Sequence, residues 1–225
     1  MNYDSYLELV KKRRSIRKFK PEPIPDEYVD KIIEAARWAP SGANSQPWEF
    51  IVIKKQELRD RIIELINEHN NFMRKIEVVR EPELRFKWSP AGYVRAPVFI
   101  ILCGDTRTKD AYPLHTTLHR GSSHFTSSLA STFLYMNLAA TSLGLGAQWV
   151  SAIAHPYVQS FTKDLLGVPK ELEFYDMMAV GYPDTEPKPR LVRAKEEMVH
   201  HDYYDKTKFR TEQEVKDFIA TLRRG

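Results

Sequence analysis

The residues best suited to chemistry come early in the chain. Lys11-Lys12-Arg13-Arg14-Ser15-Ile16-Arg17-Lys18-Phe19-Lys20 carries seven cations in ten residues. Such a run is often a solvated basic turn or a nucleic-acid patch. It can also be a phosphate clamp, because the planar fork of arginine meets two phosphate oxygens at once. Ser15 would add a hydroxyl contact. A second group, Ala39-Pro40-Ser41-Gly42-Ala43-Asn44-Ser45-Gln46-Pro47-Trp48, is richer than a plain turn requires. Its small residues allow close approach of backbone to a planar ligand. Asn44 and Gln46 offer amide donors and acceptors suited to a heterocycle that has both. The plain alternative is a helix end and a turn into the next strand.

A third group, Leu143-Gly144-Leu145-Gly146-Ala147-Gln148-Trp149-Val150-Ser151, sets two glycines between a helical stretch and a strand-like one. That order is the reverse of the dinucleotide fingerprint, which is thereby excluded; a helix cap and turn is the plain reading. No serine, cysteine or paired-carboxylate arrangement asks for a side-chain nucleophile. His115 and His119 are spaced i, i+4, as zinc ligands on one helix face can be. The stretch 104–123 reads as a polar segment outside regular structure, however, and Gly121 separates the pair from His124. These histidines are expected to meet solvent or substrate, and no metal is expected. His200 and His201 fall in a charged, solvated stretch. The single cysteine, Cys103, ends the apolar run Val98-Phe99-Ile100-Ile101-Leu102 and reads as a buried core thiol. One cysteine forms no internal disulfide, which fits a reducing compartment.

Four segments have the helical period that would position these groups. Val29, Ile32, Ile33 and Ala36 predict a helix over 27–38, with Asp26 near its start. Leu58, Ile62, Leu65 and Ile66 predict one over 56–70. Leu129, Phe133, Met136, Ala140 and Leu143 mark a long helix over 124–143, apolar almost all round and therefore central. Val215, Phe218, Ile219 and Leu222 mark a last helix, with Thr211 and Glu214 spaced as a capping box. Strands are expected at 49–53, 97–103, 147–152 and 174–181. The alternation gives an α/β or α+β domain on one sheet.

At 225 residues, 42% hydrophobic and 28% charged, the chain fits a single domain over 1–225, with 183–225 as an extended C-terminal arm. The amphipathic helix at the end of that arm must bury its apolar face, and a partner subunit is one candidate. The stretches 72–95 and 104–123 read as lids or binding loops. Nothing approaches the ~20 apolar residues of a membrane span, and the first residues lack signal-peptide features. The expected location is cytoplasmic. A net charge of +4 does not separate an anionic small molecule from a nucleic acid.

Together the motifs resemble the nitroreductase family of FMN enzymes. Arg14-Ser15-Ile16-Arg17 corresponds to that family's arginine-serine-x-arginine signature. Pro40 to Trp48 matches its proline-serine-x-x-asparagine-x-glutamine-proline-tryptophan segment without a gap. The helix-Gly-Leu-Gly-strand unit at 144–152, Gly181-Tyr182-Pro183 and a following arginine, Arg193, complete the order, which holds from about residue 8 to residue 202.

The resemblance implies an α+β nitroreductase-like fold, with a central, mostly antiparallel sheet flanked by helices, in an interlocked homodimer with FMN at the subunit interface. By correspondence, Arg13, Arg14, Ser15, Arg17 and Arg193 would hold the phosphate, ribityl chain and pyrimidine edge. Pro40, Ser41, Gly42, Asn44 and Gln46 would approach the ring, from the other subunit, and Trp149, Val150 and Ser151 would line it. The flavin carries the chemistry, so no catalytic side chain is expected. NADH or NADPH would donate hydride, and an electron-poor nitroaromatic or quinone-like acceptor would take it in a ping-pong cycle. Phe72, Trp88 and His124 are candidate substrate contacts, and Phe86, Tyr93, Arg74, Lys75, Arg85 and Lys87 could assist.

A subgroup of the family deiodinates iodotyrosine, gripping the zwitterion with a glutamate, a tyrosine and a lysine. Glu68-His69-Asn70-Asn71-Phe72-Met73 resembles the start of that lid, although Phe72 lacks the tyrosine hydroxyl. A second subgroup makes a cobalamin ligand from flavin; nothing here is specific for it. The non-catalytic alternatives are an FMN carrier and a basic nucleic-acid-binding domain. The expected partners are a second copy and a small acceptor, with no nucleic acid and no membrane.

Overall fold

The computed structural model describes residues 2–86, 92–187 and 190–223. The chain divides into two compact units, one formed by Met1–Asn70 with Ala91–Pro187 and the other by Asn71–Pro90 with Lys188–Gly225.

The first unit is built on a four-stranded sheet: β1 (Trp48–Ile53), β2 (Val98–Asp105), β3 (Gly146–Val150) and β4 (Leu172–Gly181). The strands lie in the order β1-β2-β4-β3, and every pairing is antiparallel. β2 is buried along almost its whole length, which explains its unbroken apolar run. Alternate residues feed two cores. Phe99, Ile101 and Cys103 pack on one side with Ile62, Ile66 and Met177. Val98, Ile100 and Leu102 pack on the other with Val29, Ile32, Phe133 and Met136. Cys103 is fully buried, and burial pushes its thiol up to about 12, so it is an inert core residue at neutral pH. The α+β architecture is the one the resemblance implied.

The helices are α1 (Tyr3–Lys12), α2 (Asp26–Ala36), α3 (Gln56–Ile76), α4 (Leu114–Ser142), α5 (Pro156–Leu166) and α6 (Glu212–Arg223). Pro25 occupies the cap position of α2, and Asp26 is its first helical residue, as expected. α4 runs for 29 residues, about 40 Å at the usual rise, and begins ten residues before the predicted start. His115 and His119 therefore do lie on a helix, contrary to the irregular segment expected at 104–123. Its first turns are polar enough to hide the apolar period, and Pro113 sets the start. Among the described residues, no cluster of three or more His, Cys, Asp and Glu has the geometry to hold a metal ion.

Two helices were not expected. α1 buries no residue, so the sequence has no full apolar stripe to reveal it; Asn2 caps it by accepting the Ser5 N–H at 2.9 Å. α5 has a legible signature, Pro156 at its first turn and Gly167 beyond its end at φ 67°.

In the second unit, α6 begins with the expected capping box: the Thr211 N–H donates to Glu214 at 2.7 Å and the Glu214 N–H to Thr211 Oγ1 at 3.3 Å. α6 packs against the turn Pro82–Leu84 of the same chain. The arm's last helix thus finds a cover within its own unit. No helix among the described residues is long and apolar enough to cross a membrane.

Candidate cofactor site

After α1 the basic segment runs along the edge of the sheet. The Ile16 N–H donates to the Ala147 carbonyl at 2.9 Å, the Lys20 N–H to Tyr182 at 3.0 Å, and the Asp184 N–H to Lys18 at 3.0 Å. Ile16 and Phe19 are pegs, 7% and 1% exposed, while Ser15, Arg17 and Lys18 face outward and Arg13 and Arg14 are half-buried. Apolar residues anchor the backbone and cations are left on its free side.

Two glycines permit this docking. A Cβ on Gly146 would lie 2.6–2.9 Å from three Ile16 carbons, and one on Gly92 would fall 1.4 Å from the Arg17 carbonyl oxygen. A cavity of about 200 Å³ opens beside the segment, lined by Lys12, Arg14, Thr141, Gly144, Gly146 and Thr185 among others. The Arg14 guanidinium folds back onto main-chain carbonyls, donating to Lys11 and, at 3.0 Å, to Arg13. The structure therefore brings together the arginine segment, the Gly144–Gly146 turn and Tyr182–Pro183.

The Pro40–Trp48 loop lies elsewhere. It leaves α2 and packs on the N-terminal half of α4, where the Gly42 N–H donates to Ser128 Oγ at 3.1 Å. A Cβ on Gly42 would meet Tyr112 at 3.0 Å and His124 at 3.2 Å, so a side chain there would crowd both rings. Tyr112 and His124 themselves make an edge-on ring contact at 5.6 Å. Ala43, Asn44 and Gln46 have φ of 51°, 52° and 43°, the left-handed region that costs a non-glycine residue of order 1–3 kcal/mol. Ser41 helps hold this backbone by accepting the Gln46 N–H at 3.0 Å. Pro40, Asn44 and Gln46 are left exposed. From Ser128 to Thr141 is thirteen residues of α4, about 20 Å along the axis. Within one chain, loop and clamp are apart. Ser41→Ala is expected to cost about 1 kcal/mol of stability, read by urea denaturation.

The third motif ends β3. Trp149 is 38% exposed and stacks at a tilt on Phe133, ring centroids 4.2 Å apart. Its indole N–H donates to Asp176 on β4. Val150 points into the core, so only its backbone is available to a ligand, and Ser151 opens a 3-10 turn, Ser151–Ala154. Asp176 is a site residue that the sequence reading passed over. Its signal was a carboxylate directly before the apolar run Met177-Met178-Ala179-Val180 of the same strand.

Burial raises the Asp176 carboxyl above its ordinary value, outweighing the hydrogen bonds from Trp149 and Ser151, which lower it. The folded state thus holds this proton more tightly than the unfolded chain does. Stability from this group is full at low pH and declines as pH rises from the ordinary carboxyl value, about 4, through the folded one. Asp176→Asn is accordingly expected to be more stable than the parent at pH 7. That gain should fade as pH falls toward 4, as read by urea titrations at both pH values.

Of the remaining predicted contacts, Phe72 and Arg193 fall in the second unit. There the Arg193 Nε meets Glu197 at 3.2 Å. Phe72 is 59% exposed near the end of α3. Trp88, with Lys87, lies outside the described residues.

Residues 10–182 match the model of the nitroreductase family. Iodotyrosine deiodinase 1 of Rattus norvegicus is 38% identical over 107 residues, 45% of this chain and 38% of that one. The chain therefore matches about two fifths of that relative's length. A candidate NADH dehydrogenase/NAD(P)H nitroreductase of Methanothermobacter thermautotrophicus is 29% identical over 186 residues, 82% of this chain and 80% of its own. Among solved structures, a candidate nitroreductase from Desulfovibrio desulfuricans in complex with FMN superposes with a TM-score of 0.64 at 25% identity, covering 91% of this chain and 99% of that one. Sheet order, motif order and these matches agree: the chain belongs to the nitroreductase family.

Proposed function

We propose that this protein is an FMN-dependent oxidoreductase that takes hydride from NADH or NADPH and passes it, in a ping-pong cycle, to an electron-poor acceptor of nitroaromatic or quinone type. The observation that carries the reading is the arginine segment pegged against the Gly144–Gly146 turn, with Arg14 at the wall of a cavity. The residues fit the group: cations and a serine for a phosphate, and a wall at Gly144 and Gly146 with no side chain to block approach. Bound FMN would supply the redox chemistry. Arg13, Arg14 and Ser15 would hold its phosphate and ribityl chain, and Arg17 would place a positive charge where reduction adds negative charge. The exposed face of Trp149 and the backbone of Val150 and Ser151 would border the ring.

A homodimer completes this reading. The cavity of about 200 Å³ is smaller than the ~300–1,000 Å³ of an ordinary small-molecule site. The Pro40–Gln46 loop, shaped for a ring, stands about 20 Å along α4 from the clamp. A second copy could bring its loop to the first copy's arginines. Leu114 and Leu118 of α4, 75% and 71% exposed, offer apolar surface for such an association. The whole chain would then act as one FMN-binding domain, working in the cytoplasm.

The test is the visible spectrum of the protein reconstituted with FMN, followed by anaerobic addition of NADH or NADPH. Flavin absorbance that bleaches with one of these and returns on adding a quinone is the expected result. No flavin absorbance refutes the reading, and flavin that neither nucleotide bleaches leaves a carrier.

Reductive deiodination is a second reading, favoured by the 38% identity to the rat deiodinase. Glu68, the residue that would grip a zwitterion, accepts the Tyr157 hydroxyl at 2.9 Å, and Phe72 one turn on offers no hydroxyl. Iodide release from iodotyrosine under dithionite would decide for it.

A further inference from the structure

We propose that Asp176 is a positioning residue, fixing Trp149 and Ser151 at the end of β3 and setting the preference of the site for oxidised over reduced FMN. This inference rests on the FMN reading above.

Asp176 is 7% exposed in the middle of β4. Its carboxylate accepts the Trp149 indole N–H, and the Ser151 side chain lies near enough to favour its ionised form. These two residues flank Val150, whose side chain is itself buried. One acidic group thereby holds both neighbours of a residue already locked in the core. The Trp149 ring is further confined by Phe133 at 4.2 Å and Tyr175 at 6.1 Å between centroids. The last turn of the strand has little freedom left, and it is the turn that would border the ring.

The charge of Asp176 is also uncompensated. Among the described residues no lysine or arginine pairs with it, and the hydrogen bonds it receives come from neutral donors. A lone buried carboxylate is costly, and an apolar side chain in a strand would avoid that cost. Groups kept at such a cost concentrate where a field is used. A fixed negative charge in a low-dielectric wall opposes further negative charge nearby. Arg17, placed where reduction adds negative charge, would favour reduction, and Asp176 behind Trp149 would restrain it.

Dissociation constants for oxidised and for reduced FMN, measured on the full chain and on two variants, test this. Asp176→Asn keeps an acceptor for Trp149 and removes the charge. It is expected to bind oxidised FMN within about twofold of the parent, while reduced FMN gains at least about threefold relative to oxidised. Asp176→Leu removes the acceptor as well and is expected to lose about tenfold on oxidised FMN. If the leucine variant does not fold, Trp149→Phe removes the donor from the other side and should show a loss in the same direction. An unchanged reduced-to-oxidised ratio in Asp176→Asn, or unchanged affinity when the hydrogen bond is removed, overturns the inference while the FMN reading stands. A parent protein that binds no FMN overturns both.

Discussion

Arg14→Ala and Arg17→Ala are each expected to weaken FMN binding by roughly ten- to a hundredfold. A hydrogen bond to a charged group contributes about 1.5–3 kcal/mol, and every 1.4 kcal/mol is a factor of ten in affinity. The substitutions should leave the fold intact, because the segment is held by Ile16, Phe19 and main-chain hydrogen bonds to Ala147 and Tyr182. The two positions should differ in their response to salt. Arg17 is exposed, so its contribution should shrink between low and high ionic strength, whereas half-buried Arg14 at the cavity wall is screened less. Titration of the apoprotein with FMN, followed by flavin fluorescence at two salt concentrations, reads both effects. Parental affinity in both variants would move the clamp elsewhere.

The family was legible because its signature resides in local motifs, where residue type and short spacing carry the message. The basic segment, the Gly144–Gly146 turn and Gly181-Tyr182-Pro183 are far apart in sequence, yet each is a contiguous string, and the structure sets them side by side. All four strands were legible too, since short runs rich in apolar, β-branched and aromatic residues are punctuated by Gly or Pro. Other features depend on partners distant in sequence. Asp176 reads as an oddity in an apolar strand until Trp149, on the neighbouring strand, is seen to donate to it. The first turns of α4 carry polar residues whose helical state follows from the continuous helix beyond them. α1 has no buried face to announce it. Ala43 and Gln46 hold left-handed backbone that their side chains do not favour; the local packing of Gly42 against Tyr112 and His124 and the Ser41 hydrogen bond sustain it.

Gly146→Val should abolish the site by unseating Ile16. The added Cβ would lie within 2.6–2.9 Å of Ile16 Cβ and both its γ carbons, and a β-branched side chain has few rotamers in which to withdraw. Ile16 must therefore leave its seat, taking with it the hydrogen bond to Ala147 and the peg between Arg14 and Arg17. Overpacking of this kind costs about 1–3 kcal/mol of stability, and the displaced arginines should lower FMN affinity beyond the loss from either single arginine variant. Gly167→Ala is the control. Gly167 ends α5 with φ of 67° and open space around its missing Cβ, so alanine there incurs backbone strain of about 1 kcal/mol without touching Ile16 or the cavity wall. The expected outcome is comparable destabilisation in urea for the two variants, with FMN binding lost only in Gly146→Val. Equal FMN affinity in both would mean that the seat of Ile16 does not set the position of the arginines.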